Sequence, residues 1–576
     1  MTRWIQSAAV LFLWAVMETP SRAAVLPTDL EPKVDADHQP VGSEERDIWL
    51  KLERVEEAIR NSPQRLIAPE LEAYTHAIVE RLIGRGAPDL RIYLMRDSAP
   101  NAAMLPSGMM IVNTGLLARV RNEAQLAAVL GHEAGHYFRR HSLDLHRDKR
   151  RKSALTRGAA SALSTYGEGM GGWALIQQAI LMSSFRFSRD LESEADAYGL
   201  MLMSRAGYTP HAAYEIWEQL LEERRASAAA RNKRFTDGTS SALSTHPPTK
   251  GRMINLADTA RRHSARREAA AGEGYEVWAA AIRPFQARLL QDQVFLNDPG
   301  ASLYLLESLA KDGQTALLRF YEGEAYRLRN AEGDAPRAAA AYAAAISFPD
   351  APPEAWRAHG YALLKSGNHP EAYESLSRYL ALKPDAPDAA MVRSAFASPE
   401  TANHTLSGCA MTLNAGSGWT KLPKSVSQTR WEDVWTWNGP QLDRMAAIDG
   451  LPDGKAIVFQ KDKPDQQVPP FRADMTAQDL MSMLEVSYRV HGVTVFEFDS
   501  VEPVDFLGGA GVRMRYSYTS GIDIAKKGDC VMRVVDGKLY ALRLESVAGR
   551  HFDAVAPEFD RLIAGARLRE PTHQGG

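Results

Sequence analysis

In the stretch LAAVLGHEAGHYFRRHS, residues 126–142, His132 and His136 stand four apart with Glu133 between them. An α-helix turns about 100° per residue, so positions i and i+4 lie nearly above one another and the two imidazoles can converge on one point. That is the geometry of a metal clamp. A catalytic zinc takes three protein ligands and leaves a fourth position for water, so a third ligand must come from another element. In an HExxHxxGxxH site that ligand lies ten residues after the first, but here position 142 is Ser, position 139 is Arg and His141 falls one residue early. The spacing therefore sets His141 aside as a ligand. The better candidate is Glu192 in SRDLESEADAYGL, with Asp196 one turn on. On a helix these two face the same way, so one can bind metal while the other accepts a hydrogen bond from a ligating imidazole and fixes its tautomer. Without the upstream clamp, the same stretch reads as an acidic helix start in which Glu192 and Glu194 complement the helix dipole.

These groups need rigid elements to hold them. Asn122 reads as the N-cap of the clamp helix, with Glu123 in its first turn. Upstream, DIWLKLERVEEAIRN and APELEAYTHAIVERLIG carry apolar residues at helical spacing, and LRIYLMRD switches to strand alternation. NAAMLPSGMMIVNTGLLARV continues as strand, turn and strand, punctuated by Pro106, Ser107 and Gly108. The segment from Ala103 to Asn113 is expected as an edge strand beside the cleft, able to hold an extended substrate by main-chain hydrogen bonds. A second helix begins near SRDLESEAD and closes at Gly207.

At 576 residues the chain has room for about three or four domains. Its 68 Lys+Arg against 71 Asp+Glu leave a formal charge of −3, which gives no electrostatic reason to expect nucleic acid as a partner. Arg3, an apolar run from Ser7 to Met17, Pro20 and the small-residue site around Ala23 read as a cleavable secretory signal, residues 1–23. That run is shorter than the ~20 residues a membrane span needs, and no integral span is expected in the mature chain. Residues 24–46 read as a flexible lead-in, 47–260 as the domain bearing the clamp, and 261–276 as a linker. Residues 277–400 read as helical repeats: Trp356, Gly360, Ala372 and Pro384 fall at the spacing of a 34-residue tetratricopeptide (TPR) unit. The preceding unit, with Gly323, Tyr326, Ala338 and Tyr342, fits if about three residues are inserted. Residues 405–570 alternate as strands with two helices, an α+β domain whose Asp536 and Gly537 mark a two-residue hairpin turn. Its Trp419, Trp431, Trp435 and Trp437 read as core, the other reading being a binding surface. Cys409 and Cys530 are read either as a disulfide of an oxidising compartment or as two buried thiols.

LGHEAGH, SRDLESEAD and NAAMLPSGMMIVNTGLL together resemble the zinc metallopeptidase family of HtpX and the CAAX prenyl endopeptidase. Signal, peptidase domain and repeats in that order are most similar to its periplasmic BepA-type members. The resemblance covers residues 47–260 and stops short of the C-terminal domain. It implies a multidomain chain: a mainly α zincin-type (HExxH) metallopeptidase domain with a small β-sheet, α-helical TPR repeats and a C-terminal α+β domain. It also implies one Zn²⁺ per chain held by His132, His136 and Glu192, with Glu133 as general base and Asp196 supporting a ligand. His246, in STHPPTK, corresponds to a histidine that can approach the metal, as a gate or as a stabiliser of the oxyanion; the other reading is an ordinary loop histidine. Two neutral imidazoles and one carboxylate leave a zinc site net positive, which lowers the pKa of bound water toward ~7. The expected function is an exported zinc endopeptidase, periplasmic or else secreted, that cleaves unfolded or strand-exposing proteins. Its TPR repeats would hold a client or an envelope protein partner. The alternative is a TPR-based chaperone or scaffold with a latent, self-inhibited metal site, although a purely structural site has no need of Glu133.

Overall fold

The computed structural model describes residues 30–35, 38–84, 90–147, 187, 189–235, 256–258, 274–395, 411–413, 419–423, 429–438, 442–458, 468–519 and 524–568. The signal segment 1–23, His246 and Cys409 lie outside them.

Two amphipathic helices, α1 (Gly42–Asn61) and α2 (Pro69–Ile83), precede a small sheet. Strand β1 (Arg91–Met95) pairs parallel with β3 (Met109–Asn113), and β2 (Ala102–Met104) pairs antiparallel with β3, giving the order β1-β3-β2. Gly108 turns β2 into β3 at φ 79, a left-handed value that glycine adopts freely. The edge strand expected over residues 103–113 is thereby divided: β3 is the centre of the sheet, and only β2 lies at the edge on this side. One helical turn, α3 (Thr114–Leu117), leads to α4 (Glu123–Phe138), the clamp helix. Asn122 caps it, its Oδ1 accepting from Gln125 N at 2.9 Å. Helix α4 is buried along nearly its whole length because α2, β2, α5 (Arg189–Ala206) and α6 (His211–Ala230) pack around it.

The lead-in departs from its sequence reading. Helix α1 already begins at Gly42, and residues 30–35 lie against the end of α4, with Val34 buried and Lys33 N donating to Phe138 O at 2.8 Å. Charge is the anchor that apolar periodicity could not reveal: Glu45 is buried between His38, at 2.8 Å, and Arg140, at 2.7 Å.

From Tyr275 the chain forms successive helices that pack on one another: α7 (Tyr275–Val294) and α8 (Pro299–Ala310), α9 (Ala316–Arg329) and α10 (Asp334–Ile346), α11 (Pro353–Lys365) and α12 (His369–Leu382), then a short α13 (Ala389–Ser394). Two glycines singled out in the sequence sit where partner helices touch. A Cβ on Gly323 would stand 2.4 Å from the Tyr342 ring, and one on Gly360 2.6 Å from Leu376.

The C-terminal region is a seven-stranded antiparallel sheet in the order β5-β6-β7-β11-β10-β9-β8, formed by β5 (Thr420–Lys421), β6 (Glu432–Thr436), β7 (Asp443–Pro452), β8 (Phe496–Asp505), β9 (Ala510–Thr519), β10 (Ala525–Val535) and β11 (Lys538–Val547). Two short strands, β4 (Met411–Thr412) and β12 (Arg567–Leu568), pair beside it. Asp536 and Gly537 make the hairpin turn between β10 and β11 with φ of 50 and 71. Helix α14 (Ala477–Val490) packs on one sheet face and α15 (Arg550–Gly565) on the other. Trp419 is buried, whereas Trp437 is 40% exposed, so the tryptophans do not all belong to the core. Cys530 is buried and has no disulfide partner among the described residues.

Helix α14 is covered on both sides. Its Leu480, Met483 and Leu484 belong to the C-terminal core, while Val486 and Val490 pack into the core that runs from α2 and α4 to α9 and α10. Arg327 of α9 donates to Asp479 Oδ1 at 2.9 Å and Ser482 Oγ at 2.8 Å, Arg489 reaches Asp292 of α7 at 2.9 Å, and Lys365 of α11 pairs with Asp474. The face formed by α7 and α9 is therefore taken up by the chain's own helix, and Asp474 just before that helix reaches α11. Burial alone would raise the pKa of Glu324 and Asp479, but the Arg327 guanidinium outweighs it and holds both below their usual 4.5 and 3.8. Carboxylates depressed in the folded state contribute stability that is present above their unfolded pKa and lost as pH falls through the folded one. The C-terminal domain is accordingly expected to loosen only below about pH 4. Small-angle scattering between pH 7 and pH 2 checks this; an interface that loosens already at pH 6 contradicts it.

Candidate metal centre

Helices α4 and α5 cross on small residues. A Cβ on Gly135 would stand 2.9 Å from Ala195 O, and one on Gly199 2.9 Å from His132 N. This close approach brings Glu192, near the start of α5, to the clamp on α4. The Nε2 atoms of His132 and His136 are 3.1 Å apart, Glu192 Oε2 is 3.6 Å from His132 Nε2, and Glu192 Oε1 is 3.7 Å from His136 Nε2. All three side chains are buried. Tetrahedral zinc with bonds of about 2.0–2.2 Å needs ligand atoms roughly 3.3 Å apart. The observed separations bracket that value, and two imidazoles with one carboxylate are a donor set zinc accepts, so these residues fit the metal. They are also the one such trio of His, Cys, Asp or Glu among the described residues.

The supports behind the two imidazoles differ. His132 Nδ1 lies 2.9 Å from Asp196 Oδ1, so the carboxylate accepts the Nδ1 proton and the lone pair of Nε2 faces the cluster. His136 Nδ1 lies instead 2.9 Å from Nδ1 of His141. The Phe187 ring stacks on His136 at 4.0 Å and 23°, and Trp217 of α6 stands edge-on to His132 at 5.9 Å. Burial pushes the His141 imidazole down to about 4 even with Glu194 beside it. Sequence spacing set His141 aside as a ligand and gave no sign that it would stand directly behind His136.

Glu133 faces the sheet. Its Oε2 accepts a hydrogen bond from Met104 N of the edge strand β2 at 3.2 Å, which fixes the carboxylate beside the clamp. A cavity of about 20 Å³ opens next to His136, lined also by Val34, Met104, Pro106, Tyr137 and Leu143, so the lead-in contributes a wall. His246 lies outside the described residues. No helix among the described residues is long and apolar enough to cross a membrane. A metal trio with a positioned carboxylate and an adjacent strand edge can activate water against a carbonyl of a bound chain.

Comparison with known proteins points the same way. Residues 68–260 match the model of Peptidase family M48. Mitochondrial metalloendopeptidase OMA1 of Schizosaccharomyces pombe is 35% identical over 188 residues, which is 32% of this chain and 51% of that protein. The beta-barrel assembly-enhancing protease of Escherichia coli is 25% identical over 210 residues, 35% of this chain and 41% of that one. A putative beta-barrel assembly-enhancing protease of Vibrio cholerae is 25% identical over 214 residues, 36% and 42% of the two chains. The chain thus spans about half or less of the relatives it matches. Among solved structures, LpqN of Mycobacterium tuberculosis covers 30% of this chain and 88% of its own at 14% identity and a TM-score of 0.20.

Proposed function

With a Peptidase family M48 domain over residues 68–260 as its premise, we propose that this chain is an exported zinc-dependent endopeptidase acting on unfolded or strand-exposing proteins. The observation that carries the reading is the convergence of His132, His136 and Glu192 with Glu133 one residue along the same helix. Zinc bound by that trio would polarise the scissile carbonyl and acidify the attacking water. His132 and His136 present Nε2 to the cluster, Asp196 orients the His132 ring, and Glu133 takes the proton of the water and delivers it to the leaving amine. The edge strand β2 is suited to receive an extended peptide through main-chain hydrogen bonds, which read backbone rather than side chains. Loose selectivity and unfolded substrates follow. His246 is assigned to gating of the site or to the oxyanion.

The two relatives named for beta-barrel assembly support a role in envelope protein quality control, and the apolar N-terminal segment supports export to the periplasm. The helices from α7 to α12 are read as TPR repeats. Since α14 occupies the face of α7 and α9, an envelope partner or client would use the other repeat surfaces or displace that helix.

The test is cleavage of casein by the purified chain. Hydrolysis is expected, is lost on chelation and returns with one equivalent of Zn²⁺. A zinc-loaded chain that leaves casein intact overturns this reading in favour of a scaffold with a latent metal site.

A further inference from the structure

We infer that His141 is a positioning residue of the metal centre: a neutral imidazole that accepts the Nδ1 proton of His136, locking that ligand's tautomer without adding negative charge. The inference rests on the reading of His132, His136 and Glu192 as zinc ligands.

Proton placement follows from geometry. Two Nδ1 atoms at 2.9 Å, in rings that are 2% and 0% exposed, share a single proton. His136 points Nε2 into the cluster, 3.1 Å from His132 Nε2, so a neutral ligating His136 carries its proton on Nδ1. His141 Nδ1 is then the acceptor, and the proton of its own ring sits on Nε2. That nitrogen faces Glu194 Oε2 at 3.4 Å, and Glu194 is in turn paired with Arg139. Glu194 is an ionic neighbour of that nitrogen rather than a formed hydrogen-bond partner, so the donor order of the His136–His141 pair rests on the metal-facing Nε2 of His136.

The backbone is bent to make this contact. Helix α4 ends at Phe138, and Arg140 follows at φ 59, a left-handed conformation unfavourable for a residue with a Cβ. The reversal sends the helical residues 141–147 back, so that His141 sits over the last turn of α4. Arg140 is held there by Glu45 at 2.7 Å, and Phe187 closes over both rings, 4.0 Å from His136 and 6.0 Å from His141. Departures of this kind cluster where function requires a particular side-chain placement.

The two ligands consequently have unlike supports, a carboxylate behind His132 and a neutral ring behind His136. Glu192 and Asp196 together already match the charge of a divalent ion. With Glu133 already beside the clamp, a further carboxylate behind the other imidazole would add negative charge and weaken the centre as a Lewis acid, whereas an imidazole orients His136 and leaves the charge alone.

Three variants of the full chain test this by zinc competition against a chelator and by the visible spectrum of the Co²⁺-loaded protein. His141→Leu is expected to weaken zinc binding about 10- to 100-fold and to change the Co²⁺ spectrum. His141→Asn, which offers a carbonyl oxygen where Nδ1 stands, is expected to stay within about threefold of the parent, where support of a ligating histidine is restored. His141→Asp is expected to bind zinc at least as tightly as the parent yet turn casein over more slowly, a split between affinity and kcat that loss of packing would not produce. The inference is overturned if His141→Leu keeps parental zinc affinity and Co²⁺ spectrum, or if a folded His141→Asn binds no better than His141→Leu. Failure of the underlying reading looks different: the parent itself would bind no stoichiometric zinc, or His136→Ala would retain it.

Discussion

Glu133→Gln is expected to bind one zinc like the parent while losing casein cleavage by about 10²- to 10⁴-fold, some ~3–5 kcal/mol of transition-state stabilisation. Glutamine keeps the shape of the side chain, and its carbonyl oxygen can still accept from Met104 N, so β2 and the clamp helix stay as they are. The three metal-facing groups belong to other residues. What disappears is the capacity to accept a proton from water and return it to the leaving amine. The loss should therefore fall on kcat, with KM for casein little changed, because nothing that touches the substrate backbone has moved. Metal analysis alongside steady-state kinetics makes the check. Parental turnover in a zinc-loaded Glu133→Gln would mean that another group is the base; loss of zinc together with activity would mean that Glu133 belongs to the metal shell instead.

The parts of this centre legible in the sequence were those carried by periodicity. His132 and His136 are one helical turn apart, Glu192 and Asp196 are likewise one turn apart, and a helix converts either spacing into a shared direction. The structure brings the first three together and sets Asp196 behind His132. His141 was opaque for the opposite reason. It stands beyond the end of α4, and its direction depends on a left-handed Arg140 that no apolar pattern announces. The lead-in misled for a related cause, since what orders it is a buried Glu45 paired from two directions rather than a hydrophobic stripe. Helix α14 was readable as a helix, but not as one that serves two cores at once: amphipathic reading assigns a helix one apolar face, and Val486 and Val490 pack elsewhere from Leu480 and Met483.

The glycines of LGHEAGH illustrate how a residue can be conspicuous in a sequence and mute until its neighbour is seen. In an exposed helix interior Gly→Ala stabilises by about 1 kcal/mol. At Gly135 the opposite sign is expected. The added carbon would sit 2.9 Å from Ala195 O and 3.1 Å from Ala195 Cα, both backbone atoms that cannot rotate aside, so α4 and α5 must separate by several tenths of an ångström. Overpacking of that kind costs about 1–3 kcal/mol, which offsets the propensity gain and leaves a small net loss of stability. The larger effect is on the metal. Glu192 lies three residues before Ala195 on α5, so separating the helices draws the third ligand away from the two imidazoles, and a zinc site tolerates displacements of only about 0.2 Å. Gly135→Ala is thus expected to lower Tm by a few degrees and to weaken zinc binding by about tenfold or more. Gly199→Ala, which meets His132 N at 2.9 Å from the opposite helix, should do the same. Gly565, in α15 with open space where a Cβ would go, supplies the control: Gly565→Ala should leave zinc binding untouched and stability equal or higher. If Gly135→Ala instead raises Tm and keeps its zinc, the helix crossing is not what places Glu192, and the clamp must obtain its third ligand by some other constraint.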